Sequence, residues 1–338
     1  MALEVLYDKD GSLAPLQQKT IAVIGYGSQG HAHAQNLRDS GCKVIVANRR
    51  DSKNGKLAIE HGFDPMSVED AVKQASADGG LIILTLPDEV QPEVYAKSIA
   101  PNLKPGVTLG CTHGFNIHFK TIAPPKDVNV IMVAPKGPGH TVRSEYERGG
   151  GVPCLLAVHQ DATGKGRDIA LAWAIGVGGG RSGIIVTNFK DECETDLFGE
   201  QNVLCGGLSE LIKKGFEVLT EAGYPPELAY FEVCHEVKLI VDLVVRGGLG
   251  YMRYSISNTA EFGDYHTGPR IIDDGVKQRM KQALKEIQDG TFAKTFRGDY
   301  EQGFKWFLAQ REKDSKHGVE VTGKKLRAMM PWIKPVEM

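Results

Sequence analysis

Between the apolar run IAVI at 21–24 and the segment HAHAQNLRDSG at 31–41, the chain places Gly25-Tyr26-Gly27-Ser28-Gln29-Gly30, and no other six residues restrict its fold as much. The run before them reads as a strand and the segment after them as a helix, so the glycines form a strand-to-helix turn. In such a turn the first glycine permits the bend, the second lets a ligand approach the backbone, and the third lets helix and strand pack closely. The helix N-terminus then favours an anion. A glycine turn of purely structural use is the alternative. The strand before and the helix after favour a site for the pyrophosphate of a dinucleotide.

The turn opens a longer alternation. KVIVAN, LIILTL, VTLGC, NVIMVAP and GIIVT recur as short β-branched runs up to about residue 187, separated by helical stretches. This pattern predicts βαβ units in a parallel sheet covered by helices, over residues 1–188. Beyond 188 the strand pattern stops. Residues 208–223, 226–246 and 274–290 carry apolar positions at helical spacing, and Gly247-Gly248 reads as a helix stop. An all-helical domain is expected over 189–334. The 40 basic and 42 acidic residues form no long block of one sign, which argues against a nucleic-acid partner. No apolar run is long enough to span a bilayer, and the opening MALEVLYDKDGSL has neither a basic nor an apolar leader segment. Six cysteines without a CxxC pair indicate reduced thiols and a cytoplasmic protein.

The second strand ends in Asn48-Arg49-Arg50-Asp51-Ser52-Lys53-Asn54. An acid at this point would bind a ribose 2′-hydroxyl, whereas Arg and Ser would hold a 2′-phosphate. Arg49, Arg50, Ser52 and Lys53 favour NADPH and Asp51 favours NADH, so either or both remain open. An ordinary solvated loop is the bland alternative.

Two pairs of acids stand at i and i+4: Asp196 with Glu200, and Glu232 with Glu236. Each pair would share one helix face. The second interrupts LAYFEVCHEVKLIVDLVV, so apolar that its helix is expected to be largely buried, and a buried carboxylate needs a partner or a metal. Two such pairs on facing helices would form a carboxylate-bound dimetal site suited to Mg²⁺, with Mn²⁺ second. Salt bridges to lysines such as Lys238 are the competing explanation. Glu194 and Asp242 fit the spacing less well and are set aside.

The motifs GYGSQGHAHAQNLRDSG, CTHGF, APKGPGHTVR, KDECETDLFGEQ, YFEVCHEVKLIVDL and YSISNTAEFGDY together resemble the ketol-acid reductoisomerases, over nearly the whole chain. The resemblance implies a short-class member: a Rossmann domain, a single knotted helical domain, and a homodimer or homododecamer. It implies two Mg²⁺ ions and NADPH or NADH, used to rearrange and reduce 2-acetolactate or 2-aceto-2-hydroxybutanoate. Asp196 then resembles the carboxylate bridging both ions, and Glu200 a ligand of the first. Glu232 and Glu236 resemble the acids of the second-metal and substrate side, with Glu236 open to being contributed across a dimer and to a catalytic role. His113 resembles the catalytic histidine, Lys136 a lysine near the substrate oxygen, and Ser257 a serine that hydrogen-bonds substrate. Cofactor contacts are implied at Gly25, Tyr26, Gly27, Ser28, Gln29, Gly30, Arg49, Arg50, Asp51, Ser52, Asn54, Asp88, Glu89, Val90, Gln91 and Gly139. Asp51 and Asn54 depart from the residues common in phosphate-binding members. His31, His33 and His235 read as structural.

Two other readings compete. A metal-free β-hydroxyacid or 6-phosphogluconate-type dehydrogenase also joins a Rossmann domain to helices, but has no use for the acid pairs. A redox-sensing module that binds nucleotide without turnover would need a partner-binding feature, and the sequence offers none.

Overall fold

The computed structural model describes residues 3–330. Two compact units meet between Thr195 and Asp196. The expected limit at 188/189 lies at the start of the helix in which this division falls, and the expected end at 334 lies outside the described residues.

The first unit runs β1 (Val5–Leu6), β2 (Thr20–Ile24), α1 (Ser28–Asp39), β3 (Lys43–Ala47), α2 (Lys53–Glu60), α3 (Val68–Ala77), β4 (Leu81–Leu84), α4 (Gln91–Val94), β5 (Thr108–Cys111), α5 (Phe115–His118), β6 (Asn129–Pro135), α6 (Gly139–Glu147), β7 (Cys154–Gln160), α7 (Gly166–Gly176), β8 (Ile184–Val186) and the start of α8 (Phe189–Gly199). The strands form one sheet in the order β1-β8-β7-β6-β5-β4-β2-β3. From β3 to β6 every pairing is parallel, with Ile21 of β2 opposite both Val44 of β3 and Leu81 of β4.

The sheet is mixed, not purely parallel. β7 runs antiparallel to β6, and β1 antiparallel to β8. β7, the run CLLAVHQ, is missing from the sequence-based strand set; its partner β6 precedes it with only a nine-residue helix between, which suits an antiparallel return. Both faces of the sheet are covered, as continuous apolar strands require. Leu37 of α1 and Trp173 of α7 close one face over Val23 and Ile83. Ala71, Val72 and Ala75 of α3 close the other over Ala22 and Ile82. Burying side chains of this size is worth about 1.5–3 kcal/mol each.

The chain order puts β3 and β4 on opposite sides of β2. Connections therefore diverge at the carboxyl ends of β2 and β4, the place where such sheets bind ligands. The segments leaving β2, β3, β4, β5 and β6 carry, in turn, residues 25–30, 48–54, 88–91, His113 and Lys136.

The second unit is helical: the end of α8, then α9 (Gly206–Glu221), α10 (Pro226–Tyr230), α11 (Val237–Ser255), α12 (Asn258–Ile271), α13 (Asp274–Gln288), α14 (Thr291–Glu301), α15 (Lys305–Ser315) and α16 (Gly318–Ala328). Phe216 of α9, Ala229 and Tyr230 of α10, and Val319 and Leu326 of α16 form its buried cluster. Gly248 leaves helical geometry at φ 77°, as the sequence predicts, although helix resumes directly after it.

The expectation for α11 fails. Leu239 is 55% exposed, Val245 82% and Leu249 56%, so this helix is apolar without being buried in the chain. No helix among the described residues is long and apolar enough to cross a membrane.

Candidate active site

Each glycine of the first turn has a distinct task. Gly25 sits at φ 100°, where a side chain is strained. A Cβ at Gly30 would come within 2.2 Å of the Gly25 carbonyl oxygen, so only hydrogen fits there. Gly27 has nothing within 4 Å of where a Cβ would stand, which leaves the N-terminus of α1 open to a ligand.

Gly139 begins α6 so close to this turn that a Cβ would meet the Ser28 carbonyl oxygen at 1.5 Å, and its N–H donates to Ser28 Oγ at 3.1 Å. Gln29 donates to the Gly137 carbonyl at 2.9 Å. Two helix N-termini thus converge where a pyrophosphate would lie. Tyr26 faces the other way. Its ring is buried against Phe63 and its hydroxyl meets His61 Nδ1 at 2.9 Å, so only its backbone is placed to meet a ligand.

At the end of β3, Ser52 caps α2, accepting from Gly55 N–H at 3.0 Å. Arg49, Arg50, Asp51 and Asn54 are exposed. Arg49 and Arg50 border a cavity of about 790 Å³ whose far wall includes Met66, Val68, Leu86 and Val90. Gln91 is buried and donates to Leu86 O at 2.7 Å while accepting from Asn116 at 3.1 Å. Asn116 also donates to the Asp88 carbonyl at 3.0 Å. Gln91 and Asp88 therefore brace the loop after β4, and Glu89 and Val90 lie half-buried along it.

The residue that organises the chemistry is Glu192, which sequence reasoning passed over. Its carboxylate is 1% exposed and accepts from His113 Nδ1 at 3.2 Å, Lys136 Nζ at 3.2 Å and Gly114 N–H at 2.9 Å. Burial alone would lower the His113 pKa, but hydrogen bonds to Cys193 and Glu192 and the charges of Glu192 and Asp88 hold it well above the ordinary imidazole value. Burial alone would raise Glu192; the His113 hydrogen bond and charge, Lys136 and the Gly114 N–H keep it below the usual carboxylate range. The result is a buried carboxylate that holds an imidazole and an ammonium together. The available signal was the run Glu192, Asp196, Glu200 at successive helix turns.

Because α8 is unbroken, Asp196 follows Glu192 one turn later. His113, Glu192 and Asp196 each offer a ligand atom within 4.8 Å of one another. Glu200, Glu232 and Glu236 belong to no such group among the described residues. Glu200 opens a π turn, Glu200–Leu204, and Glu232 lies in another, Phe231–His235. The Glu236 N–H bonds back five residues to Phe231 O, so the expected one-turn step between Glu232 and Glu236 is altered. Both acids are exposed. Ser257 caps α12, accepting from Ala260 N–H at 3.2 Å, which leaves its hydroxyl hydrogen to donate. Of the acids set aside, Asp242 pairs with Lys238, and Glu194 with Lys190 and His118. His33 is buried and accepts from Trp173 Nε1 at 2.9 Å, a structural role.

Comparison with known proteins agrees with this architecture. Residues 15–183 match the family model described as the NADPH-binding domain of acetohydroxy acid isomeroreductase, and residues 189–332 that of the ketol-acid reductoisomerase C-terminal domain. An NADH-preferring ketol-acid reductoisomerase from an uncultured archaeon is similar at 46% identity and TM-score 0.94, over 97% of this chain and 99% of its own. A semialdehyde dehydrogenase NAD-binding protein from Cupriavidus necator matches at 18% identity and TM-score 0.59, over 81% of this chain and 99% of its own, a likeness of fold alone.

Proposed function

The chain belongs to the ketol-acid reductoisomerase family, and from that premise we propose how its residues divide the work of the isomeroreductase reaction in branched-chain amino-acid synthesis. The substrate, 2-acetolactate, carries a tertiary alcohol beside a ketone. An alkyl group moves with its bonding pair from the alcohol carbon to the ketone carbon; the hydroxyl proton leaves, and the old ketone oxygen takes up a proton. The new ketone at the former alcohol carbon is then reduced to give the 2,3-dihydroxy acid.

The donor set suits Mg²⁺, since carboxylate oxygens dominate it. By the family resemblance, ligation falls to Asp196 and Glu200, with Glu232 and Glu236 serving the second ion. When bound, two Mg²⁺ ions supply Lewis-acid stabilisation to the substrate oxygens, and the nicotinamide cofactor supplies the hydride. Lys136 and His113, held in place by Glu192, stabilise negative charge as it moves between those oxygens. Glu236 accepts the hydroxyl proton. Ser257 donates to the substrate, and residues 25–30 with Gly139 hold the pyrophosphate.

Glu232 and Glu236 come from the partner in a homodimer. They lie next to the exposed apolar face of α11, and a helix so apolar needs a cover that a second copy provides. The free cysteines suit a cytosolic setting.

The observation that carries this reading is the buried Glu192 carboxylate gathering His113 and Lys136 beside Asp196. Purified protein is assayed for oxidation of NADPH and, separately, NADH with 2-acetolactate, with Mg²⁺ and with EDTA. Turnover abolished by EDTA and restored by Mg²⁺ is expected. Turnover indifferent to EDTA would remove the metal assignment and favour a metal-free dehydrogenase chemistry.

A further inference from the structure

Taking residues 48–54 as the loop that meets the adenosine end of the cofactor, we propose that Asp64, outside that loop, sets the choice between a 2′-phosphate and a 2′-hydroxyl by holding Arg50. Arg50 Nη1 donates to Asp64 Oδ1 and, at 3.2 Å, to the Pro65 carbonyl. Asp64 is well placed to hold it because the backbone beside it is fixed. Met66 N–H donates to Val46 O at 3.1 Å, Asn48 N–H donates to Met66 O at 3.2 Å, and Met66 pairs with Ala47 as a short parallel extension of β3.

The other candidate phosphate ligands are reduced as well. Ser52 Oγ donates its hydrogen to Arg49 O at 2.7 Å and accepts from Asn48 and Gly55 at 3.0 Å each. It has no hydrogen left for a phosphate. Arg49 and Lys53 then stand against Asp51. A guanidinium binds phosphate best with its fork free, and Arg50, paired at the surface with an Asp64 that is 84% exposed, has part of that fork occupied. Arg50 thus serves as a wall of the cavity it borders, along with Pro65, and the loop favours a cofactor with an unmodified ribose. Asp64 is a positioning residue: it acts through Arg50.

The test is binding, with turnover as a second readout. Dissociation constants for 2′,5′-ADP and 5′-ADP are measured by calorimetry on the holo-competent protein, its D64N variant, R50Q and the double variant. Preference for 2′,5′-ADP over 5′-ADP should rise about fivefold in D64N, the scale of a released surface pair, and the NADPH/NADH ratio of kcat/KM should follow. The double variant should match R50Q. An unmoved ratio in D64N would overturn the proposal, as would a gain that persists without Arg50, since Asp64 would then act by repulsion through space. If R50Q and R49A leave both nucleotides' affinities unchanged, the loop reading itself fails and takes the proposal with it.

Discussion

The two units of this chain solve the same problem differently. The first closes its sheet on both faces, with Ile21, Val23, Ile82 and Ile83 fully buried. The second buries a small cluster around Phe216 and Tyr230, yet leaves Leu239, Val245, Leu249, Phe262 and Trp306 more than half exposed. Apolar area removed from water is the main favourable term in folding. The first unit therefore holds its own stability, whereas on the proposed dimer the second unit's stability would be shared with the copy that covers α11. The proposed site residues follow the same division. His113, Lys136 and Glu192 are fixed within the first unit, while Glu232 and Glu236 lie on the uncovered helices.

The strongest way to break this contrast is to charge the exposed face. If a second copy covers this face as proposed, Val245→Lys with Leu249→Lys should give a monomer by light scattering and lower activity more than 100-fold, since a buried interface tolerates no unpaired charge. A monomer that keeps full activity would show that α11 needs no partner.

Within the first unit, Glu192→Gln should lower kcat/KM about 100-fold or more while leaving the assembly state unchanged, because His113 and Lys136 lose the charge that holds them. An effect below about tenfold would reduce Glu192 to an ordinary core acid.

Two matched truncations sharpen the comparison in stability. Ile83→Ala should cost about 2–5 kcal/mol in denaturant unfolding, independent of protein concentration. Leu239→Ala should shift a midpoint that itself moves with concentration. The same concentration dependence for both would erase the distinction.

The smallest effect concerns acid. Burial, with a lesser contribution from His31, lowers His33 to about 3. The unfolded chain takes up this proton near the ordinary value of about 6.5 and the folded chain does not. The stability held by neutral His33 is thus complete above that value and is lost as pH falls toward 3, at about 1.4 kcal/mol per pH unit. His33→Asn should flatten the stability profile between pH 6 and 4; an unchanged slope would mean that His33 is protonated in place.

What was legible in the sequence was local. The tasks of Gly25 and Gly30 follow from chain geometry over a few residues, and the helix spacing after Lys190 needs only periodicity. The spacing to Asp196 marked Glu192, but its role was not legible because its partners lie 56 and 79 residues away, and only the sheet brings them to α8. Nor were the π turns at Glu200 and Phe231, since each shifts the apolar spacing by only one residue. The apolarity of α11 states that the helix requires cover, but one chain's sequence does not name the cover. Nor was the Arg50–Asp64 pair legible, since Asp64 stands 14 residues on.

The most direct test joins the two regions in one experiment. Asp196→Asn and Glu236→Gln chains are co-expressed with different tags, and the heterodimer is isolated and assayed with 2-acetolactate. If Glu236 serves the partner's Asp196, one of the two sites is intact and the heterodimer shows about half the wild-type activity, while each parent homodimer shows almost none. A heterodimer as inactive as its parents would place both acids in the same chain's site and contradict the account.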